Sequence, residues 1–262
     1  MGIINVTPDS FYDGGQTVTE SDILKQAETM LEEGATFLDI GGYSSRPGAD
    51  DVPLAEEMKR VLVAIESILK RFPKALLSID TFRSEVANSA VKAGAALVND
   101  ISAGMLDEAM VSTVANLQVP YIAMHMRGTP QTMQANSTYE NPIREILHYF
   151  SERISKARAA GINDIIADVG FGFAKDMDVN FSVLNQLEYF QSLKVPLLVG
   201  VSRKSMLYKT LNTTPQGALN GTTALHAIAL YKGASILRTH DVKEAVECVK
   251  LVDRLKTAAV SY

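Results

Sequence analysis

Short apolar runs recur along the chain with little polar alternation inside them: "GIINV", "TFLDIGG", "ALLSID", "AALVNDI", "PYIAMH", "DIIADVG", "PLLVGVS" and "SILRTH". Strands that face water on one side alternate apolar and polar residues, so unbroken runs predict parallel strands covered on both faces. Each run is followed by a segment whose apolar residues fall at helical spacing. After the first, "SDILKQAETMLEEGA" opens on a Ser21–Asp22 cap, places Ile23, Leu24, Ala27, Met30 and Leu31 on one face, and stops at Gly34. The same reading predicts helices near 53–72, 83–93, 107–117, 140–160 and 178–192, helices within 203–232, and a last one over 241–257.

Eight strand-then-helix units in 262 residues predict a closed α/β barrel, the (β/α)8 TIM barrel, as a single domain over 1–262. A doubly wound open sheet is the competing architecture, but it would leave exposed edges, and no Gly-x-Gly-x-x-Gly follows the first strand. Composition agrees with one large core: 47% of residues are apolar and 21% charged. No apolar stretch approaches the roughly 20 residues a bilayer span needs. A net charge of -5 offers no general attraction to nucleic acid or to an anionic membrane, so neither is expected as a partner, and any anion site must be local. Cys248 is the only cysteine, which excludes an internal disulfide and fits a reducing cytoplasm; on the last helix it reads as a packing residue.

In such barrels the strand carboxyl ends carry the chemistry. Here those ends hold Asn5, Asp39, Asp80, Asn99 with Asp100, His125, Asp168, the run Ser202, Arg203 and Lys204, and finally Arg238, His240 and Asp241. Asp80, Asn99 and Asp168 are rich in acceptors and suit a flat heterocycle with adjacent N–H donors. Arg46, Arg203, Lys204 and Arg238 suit phosphate. Taken singly each has a plainer reading. Asp80 can cap the next helix, "SRK" and "RTH" can be solvated turns, Phe173 can be core, His125 can be a satisfied buried histidine, and His148 and His226 fall inside helices.

Together, "MGIINVTPDSFYDGG", "DIGGYSSRPGA", "SIDTFRSEVA", "LVNDISAG", "MHMRGTPQTM", "GFGFAK", "GVSRKSM" and "RTHDV" resemble the dihydropteroate synthase family, in its order, from residue 1 to about 242. The resemblance implies a TIM barrel that condenses 6-hydroxymethyl-7,8-dihydropterin diphosphate with para-aminobenzoate. It implies Asp80, Asn99, Asp168, Lys204 and Met124 around the pterin. Asn5, Ser45, Arg46, Arg238 and His240 would face the diphosphate, with Asn5 near Mg2+, the implied metal, together with the Asp9 and Asp13 loop. Ser45, Pro47, Phe173, Lys204 and Ser205 would face para-aminobenzoate. Lys204, Arg238, His240 and Asp80 would be the residues nearest the chemistry, and a homodimer is implied, with Leu219, Leu225, Ile228, Leu230 and Tyr231 as a patch that can serve it or simply pack on the barrel.

The segment from Thr7 to Gly15 is predicted to close over the substrates, with "TVTESD" anchoring its far side. Three features depart from the family pattern. Ser45 stands where threonine is usual, Val169 stands where proline is usual in "DPG", and the sequence starts at strand one without the short leader common in the family, which is expected to bear on stability. Asp80, Asn99 and Asp168 are shared with pterin-binding methyltransferases, which have no use for a diphosphate grip. A catalytically silent barrel is the other alternative.

Overall fold

The computed structural model describes residues 1–7, 19–43 and 51–258. Among them the strands are β1 (Gly2–Asn5), β2 (Phe37–Gly41), β3 (Leu76–Asp80), β4 (Leu97–Asp100), β5 (Tyr121–Met124), β6 (Ile165–Asp168), β7 (Leu197–Val199) and β8 (Ile236–Leu237). The helices are α1 (Glu20–Glu32), α2 (Leu54–Arg71), α3 (Ser84–Lys92), α4 (Met110–Leu117), α5 (Pro142–Ala159), α6 (Met177–Asn185), α7 (Ser205–Thr210), α8 (Leu219–Tyr231) and α9 (Val242–Ala258). All eight strands are parallel and pair in chain order. A bridge between Gly2 and Thr239 joins the last strand to the first, with Ile3 N donating to Thr239 O at 3.0 Å and Thr239 N to Met1 O at 3.0 Å. The sheet is therefore a ring, and the doubly wound alternative is excluded.

The pairing register sorts side chains into two faces. Ile40, Ile79, Val98, Ala123, Ala167 and Val199 belong to the large core between strands and helices. Leu97, Ile122 and Leu198, packed with Phe37, Ile166 and Ile236, fill the barrel's interior toward its lower end. Above that plug the same inward face turns polar, through Asp39, Asp80, Asn99 and Asp168. An apolar floor under a polar mouth is what a barrel needs to hold a polar ligand away from bulk water without opening a channel.

Two local expectations change. The cap of α1 is Thr19: its hydroxyl accepts from Asp22 N at 3.2 Å, and Asp22 Oδ2 accepts from Thr19 N at 3.1 Å. Ser21 and Asp22 thus lie inside the first turn, because the reciprocal capping box satisfies two orphan donors where a Ser21 cap would satisfy one. The predicted helix over 178–192 divides at Gln186, and Leu187–Leu193 forms a 3₁₀ turn. Its buried side chains, Leu187 and Phe190, are three residues apart, the repeat that a three-residue turn presents to a core.

Candidate active site

Arg238 follows β8 and lies at the centre of the mouth. Its Nε donates to Asp39 Oδ2 at 2.6 Å and its Nη2 to Asp80 Oδ2 at 2.7 Å. Asp39 Oδ2 also accepts from Asn99 Nδ2 at 2.9 Å, while Asp39 Oδ1 is sealed without a partner among the described residues. The buried Asp39 carboxylate thereby links β2, β4 and the end of β8, and β3 joins them through the bond of Asp80 to Arg238. Burial opposes the charge of Arg238, but the two aspartates outweigh it and hold the guanidinium above its ordinary value. Burial raises the Asp80 carboxyl, against the pull of Arg238. Asp80 therefore binds a cation across the mouth; the N-cap position of α3 belongs to Arg83, and Asp107 Oδ2 accepts from Ser84 N at 2.7 Å.

Asp168 ends β6 with Oδ1 accepting from Gly170 N at 2.8 Å, a bond that aims the carboxylate even though buried Val169 follows it. Burial raises this carboxyl too, opposed first by the nearby Lys204 charge. Lys204, at the N-terminus of α7, bonds Phe171 O, and its Nζ lies 4.8 Å from the centre of the Phe173 ring. Burial pushes its ammonium down to about 8. Gly172 gives it room, since a Cβ there would come within 3.3 Å of Lys204 Cδ. After these bonds, Asp80, Asn99 and Asp168 each keep an oxygen with no hydrogen-bond partner among the described residues, and Arg238 keeps Nη1.

The remaining predicted residues fall into three groups. Asn5 ends β1, and a Cβ built on Gly41 would lie 3.5 Å from its Oδ1 and 3.6 Å from Asp80 Oδ2, so both oxygens border one gap. His240 shares a 3.0 Å contact between its Nδ1 and Ser202 Oγ. Met124 is buried with Ile101, Met126, Met133 and Ala174, against which Phe173 packs, and Ser205 is exposed at the start of α7. Arg203 is a different matter: its guanidinium makes two bonds to Asp241, with Nε to Oδ2 at 3.0 Å, so it joins the β7 and β8 loops and is spent as an anion ligand. Asp100 likewise turns away, accepting from Tyr121 Oη at 2.6 Å and Gly104 N at 2.6 Å. Ser45, Arg46, Pro47, Asp9, Asp13 and the predicted lid beyond Thr7 lie outside the described residues.

His125 is the satisfied buried histidine of the plainer reading, bonded at Nδ1 to Lys175 Nζ at 2.9 Å. Asp39 was expected at the rim, but its role as the common anchor of Arg238 and Asn99 was not, and Lys175 was not signalled by the sequence as a site residue. Both act through partners distant in the chain. Lys175 stands in "GFGFAK", one of the stretches that carry the family resemblance.

Residues 1–240 match the pterin binding enzyme family. The dihydropteroate synthase of Escherichia coli K12 is 42% identical over 260 residues, covering 98% of this chain and 92% of that protein. That of Bacillus subtilis is 39% identical over 257 residues, covering 97% and 87%. Among solved structures, the Yersinia pestis dihydropteroate synthase in a sulfonamide drug complex superposes with a TM-score of 0.93 at 41% identity, covering 98% and 93%. The Xanthomonas albilineans dihydropteroate synthase with 4-aminobenzoic acid gives 0.90 at 37% identity, covering 100% and 93%.

The chain belongs to the pterin-binding enzymes. Its activity within them is that of the dihydropteroate synthases, transferases of folate biosynthesis that make 7,8-dihydropteroate and pyrophosphate from a dihydropterin diphosphate and para-aminobenzoate.

Proposed function

We propose that the pterin lies on the apolar plug with its amino-pyrimidinone edge on Asp80, Asn99 and Asp168, next to Met124 and Lys204. The observation that carries this reading is the set of unbonded oxygens on those three side chains, gathered beside the one open nitrogen of Arg238. A ring with adjacent N–H donors satisfies such acceptors, which are costly to bury unbonded. The diphosphate is assigned to Arg238 Nη1, His240 and Asn5, with Ser45 and Arg46 from the second loop.

Para-aminobenzoate is assigned to the space between Phe173, the stem of Lys204, Ser45 and Pro47, with its carboxylate toward Ser205 at the start of α7. This is the compound the Xanthomonas relative holds. A sulfonamide, as bound to the Yersinia relative, would compete for the same place.

Mg2+ fits these residues as an ion carried by the substrate. No cluster of three or more carboxylate, His or Cys ligands exists among the described residues, whereas Asn5 Oδ1 and Asp80 Oδ2 face one gap. Magnesium favours few protein ligands alongside phosphate oxygens and water. When bound it supplies positive charge beside the diphosphate; Asn5 would hold it.

In the reaction the bond between the pterin methylene carbon and the diphosphate oxygen breaks, and its electron pair leaves with pyrophosphate. The amine nitrogen of para-aminobenzoate then bonds to that carbon and releases a proton. Arg238 and His240 stabilise charge that grows on the leaving group, while Asp80 and Asp168 balance the cation left on the pterin. Orientation of the weak amine by the Phe173 wall replaces a general base.

No described helix is long and apolar enough to cross a membrane, and we place the enzyme in the cytoplasm. We assign a twofold homodimer to the α8 and α9 side, where Ile228, Tyr231, Leu251 and Leu255 are exposed; Leu230 of the predicted patch is turned into the core. Sedimentation of the purified protein as a monomer would refute it.

The deciding assay follows pyrophosphate release with dihydropterin diphosphate and Mg2+, with and without para-aminobenzoate, and identifies dihydropteroate by mass. Asp168→Asn and Asn99→Ala are expected to raise KM for the pterin substrate. Wild-type values for both would sink the pterin assignment.

A further inference from the structure

The turn from Gly170 to Lys175 distributes its carbonyls between two lysine amines, Lys175 buried and Lys204 half-buried. Lys175 Nζ donates to Gly170 O at 3.0 Å and to Phe173 O at 3.0 Å, and meets His125 Nδ1 at 2.9 Å. Phe171 O, between them, receives Lys204. Lys175 is only 3% exposed, burial pushes its amine well below the ordinary lysine value, and its polar contacts are Gly170 O, Phe173 O and His125 Nδ1.

The clamp is anchored from below and beside. The His125 ring meets Tyr149 edge-on at 4.8 Å, and the single proton of Tyr149 Oη is shared between Met124 O at 3.1 Å and Ser102 O at 2.9 Å. Asn180 accepts from Gly172 N at 2.8 Å and donates to Lys175 O at 3.0 Å. The chemistry assigned above uses neither Lys175 nor His125. Burying a lysine is costly unless it finds polar partners, and two of those here are carbonyls of the turn itself, Gly170 O and Phe173 O.

We propose that Lys175, seated on His125, is the positioning residue that sets the para-aminobenzoate wall, by fixing the turn that presents the Phe173 ring and the Phe171 carbonyl that holds Lys204. This rests on the assignment of Phe173 to para-aminobenzoate.

Steady-state kinetics with both substrates test it, using Phe173→Ala, Lys175→Met, His125→Leu and His125→Asn. Asn keeps an acceptor where His125 Nδ1 stands; Leu does not. Phe173→Ala, Lys175→Met and His125→Leu are each expected to raise KM for para-aminobenzoate about tenfold or more, with a smaller change for the pterin diphosphate, because misplacing a positioning wall by an ångström has effects of this size. His125→Asn is expected to restore most of the loss. If Lys175→Met fails to fold, the two His125 variants decide the matter alone. Unchanged KM in Lys175→Met and His125→Leu beside a raised KM in Phe173→Ala would overturn the inference. An equal rise for both substrates would do the same. Unchanged KM in Phe173→Ala would overturn the underlying assignment, and the inference with it.

Discussion

Arg238 Nε lies 2.6 Å from Asp39 Oδ2, tying the end of the last strand to the middle of the second. Because Asn99 shares that oxygen, one carboxylate orders two of the groups assigned to substrate. Asp39→Ala would leave a buried guanidinium with only Asp80, and breaking such a pair costs about 3–5 kcal/mol. Denaturant unfolding should show that loss, together with a raised KM for the pterin diphosphate. A loss under about 1 kcal/mol would place Asp39 with ordinary surface pairs.

Lys204 gives opposite pH trends for stability and catalysis. Its ammonium is lowered by burial from 10.5 to about 8, so across that window the folded enzyme sheds a proton that the unfolded chain keeps. The Lys204 contribution to substrate-free stability therefore rises with pH between about 8 and 10.5. Binding that needs the ammonium runs the other way: kcat/KM for the pterin diphosphate should fall about tenfold per pH unit above the lysine pKa. Lys204→Arg should lift that alkaline limb, since guanidinium does not titrate there. A limb that stays in place would assign it to another group.

Two glycines with positive φ separate strain from collision. At Gly161, φ 99°, an added Cβ would meet nothing within 4 Å, whereas at Gly170, φ 68°, it would run into the His125 carbonyl oxygen. Gly161→Ala should cost about 1–2 kcal/mol, the backbone term alone. Gly170→Ala should cost clearly more in thermal or denaturant unfolding and should impair activity through Asp168. Equal costs would mean the β6 turn relaxes freely.

The two arginines of the last loops should differ in kind. Arg203 is one-third exposed and forked onto Asp241, so Arg203→Met should cost about 1 kcal/mol of stability. KM for the pterin diphosphate should stay within about twofold of wild type, whereas Arg238→Met should raise it far more. Matching kinetic losses would return Arg203 to the set of anion ligands.

That contrast also marks where sequence reading stops. The barrel was legible because strands buried on both faces read as unbroken apolar runs, and the rim residues because they follow those runs. Arg203 and Arg238 look alike in "SRK" and "RTH"; what divides them is backbone, since Arg203 sits at φ 54° while Arg238 continues the β8 pairing, its N donating to Val199 O at 2.9 Å. Asn99 and Asp100 are neighbours that face opposite sides of one strand, and only register decides which belongs to the mouth. Lys175 was unreadable because its histidine partner lies 50 residues earlier. The cap of α1 turned on a reciprocal bond that Thr19 makes with Asp22, a detail beyond residue type.

The ring of strands is stitched unevenly. β8 has two residues, and it meets β1 through the bridge of Gly2 with Thr239 and the hydrogen bonds that Met1 and Ile3 make with Leu237 and Thr239. Asn5 stands on one side of that seam, Arg238 and His240 on the other. A diphosphate held by all three would lie across the join like the tongue of a buckle, so the enzyme's own substrate would fasten the first strand to the last where the hoop closes.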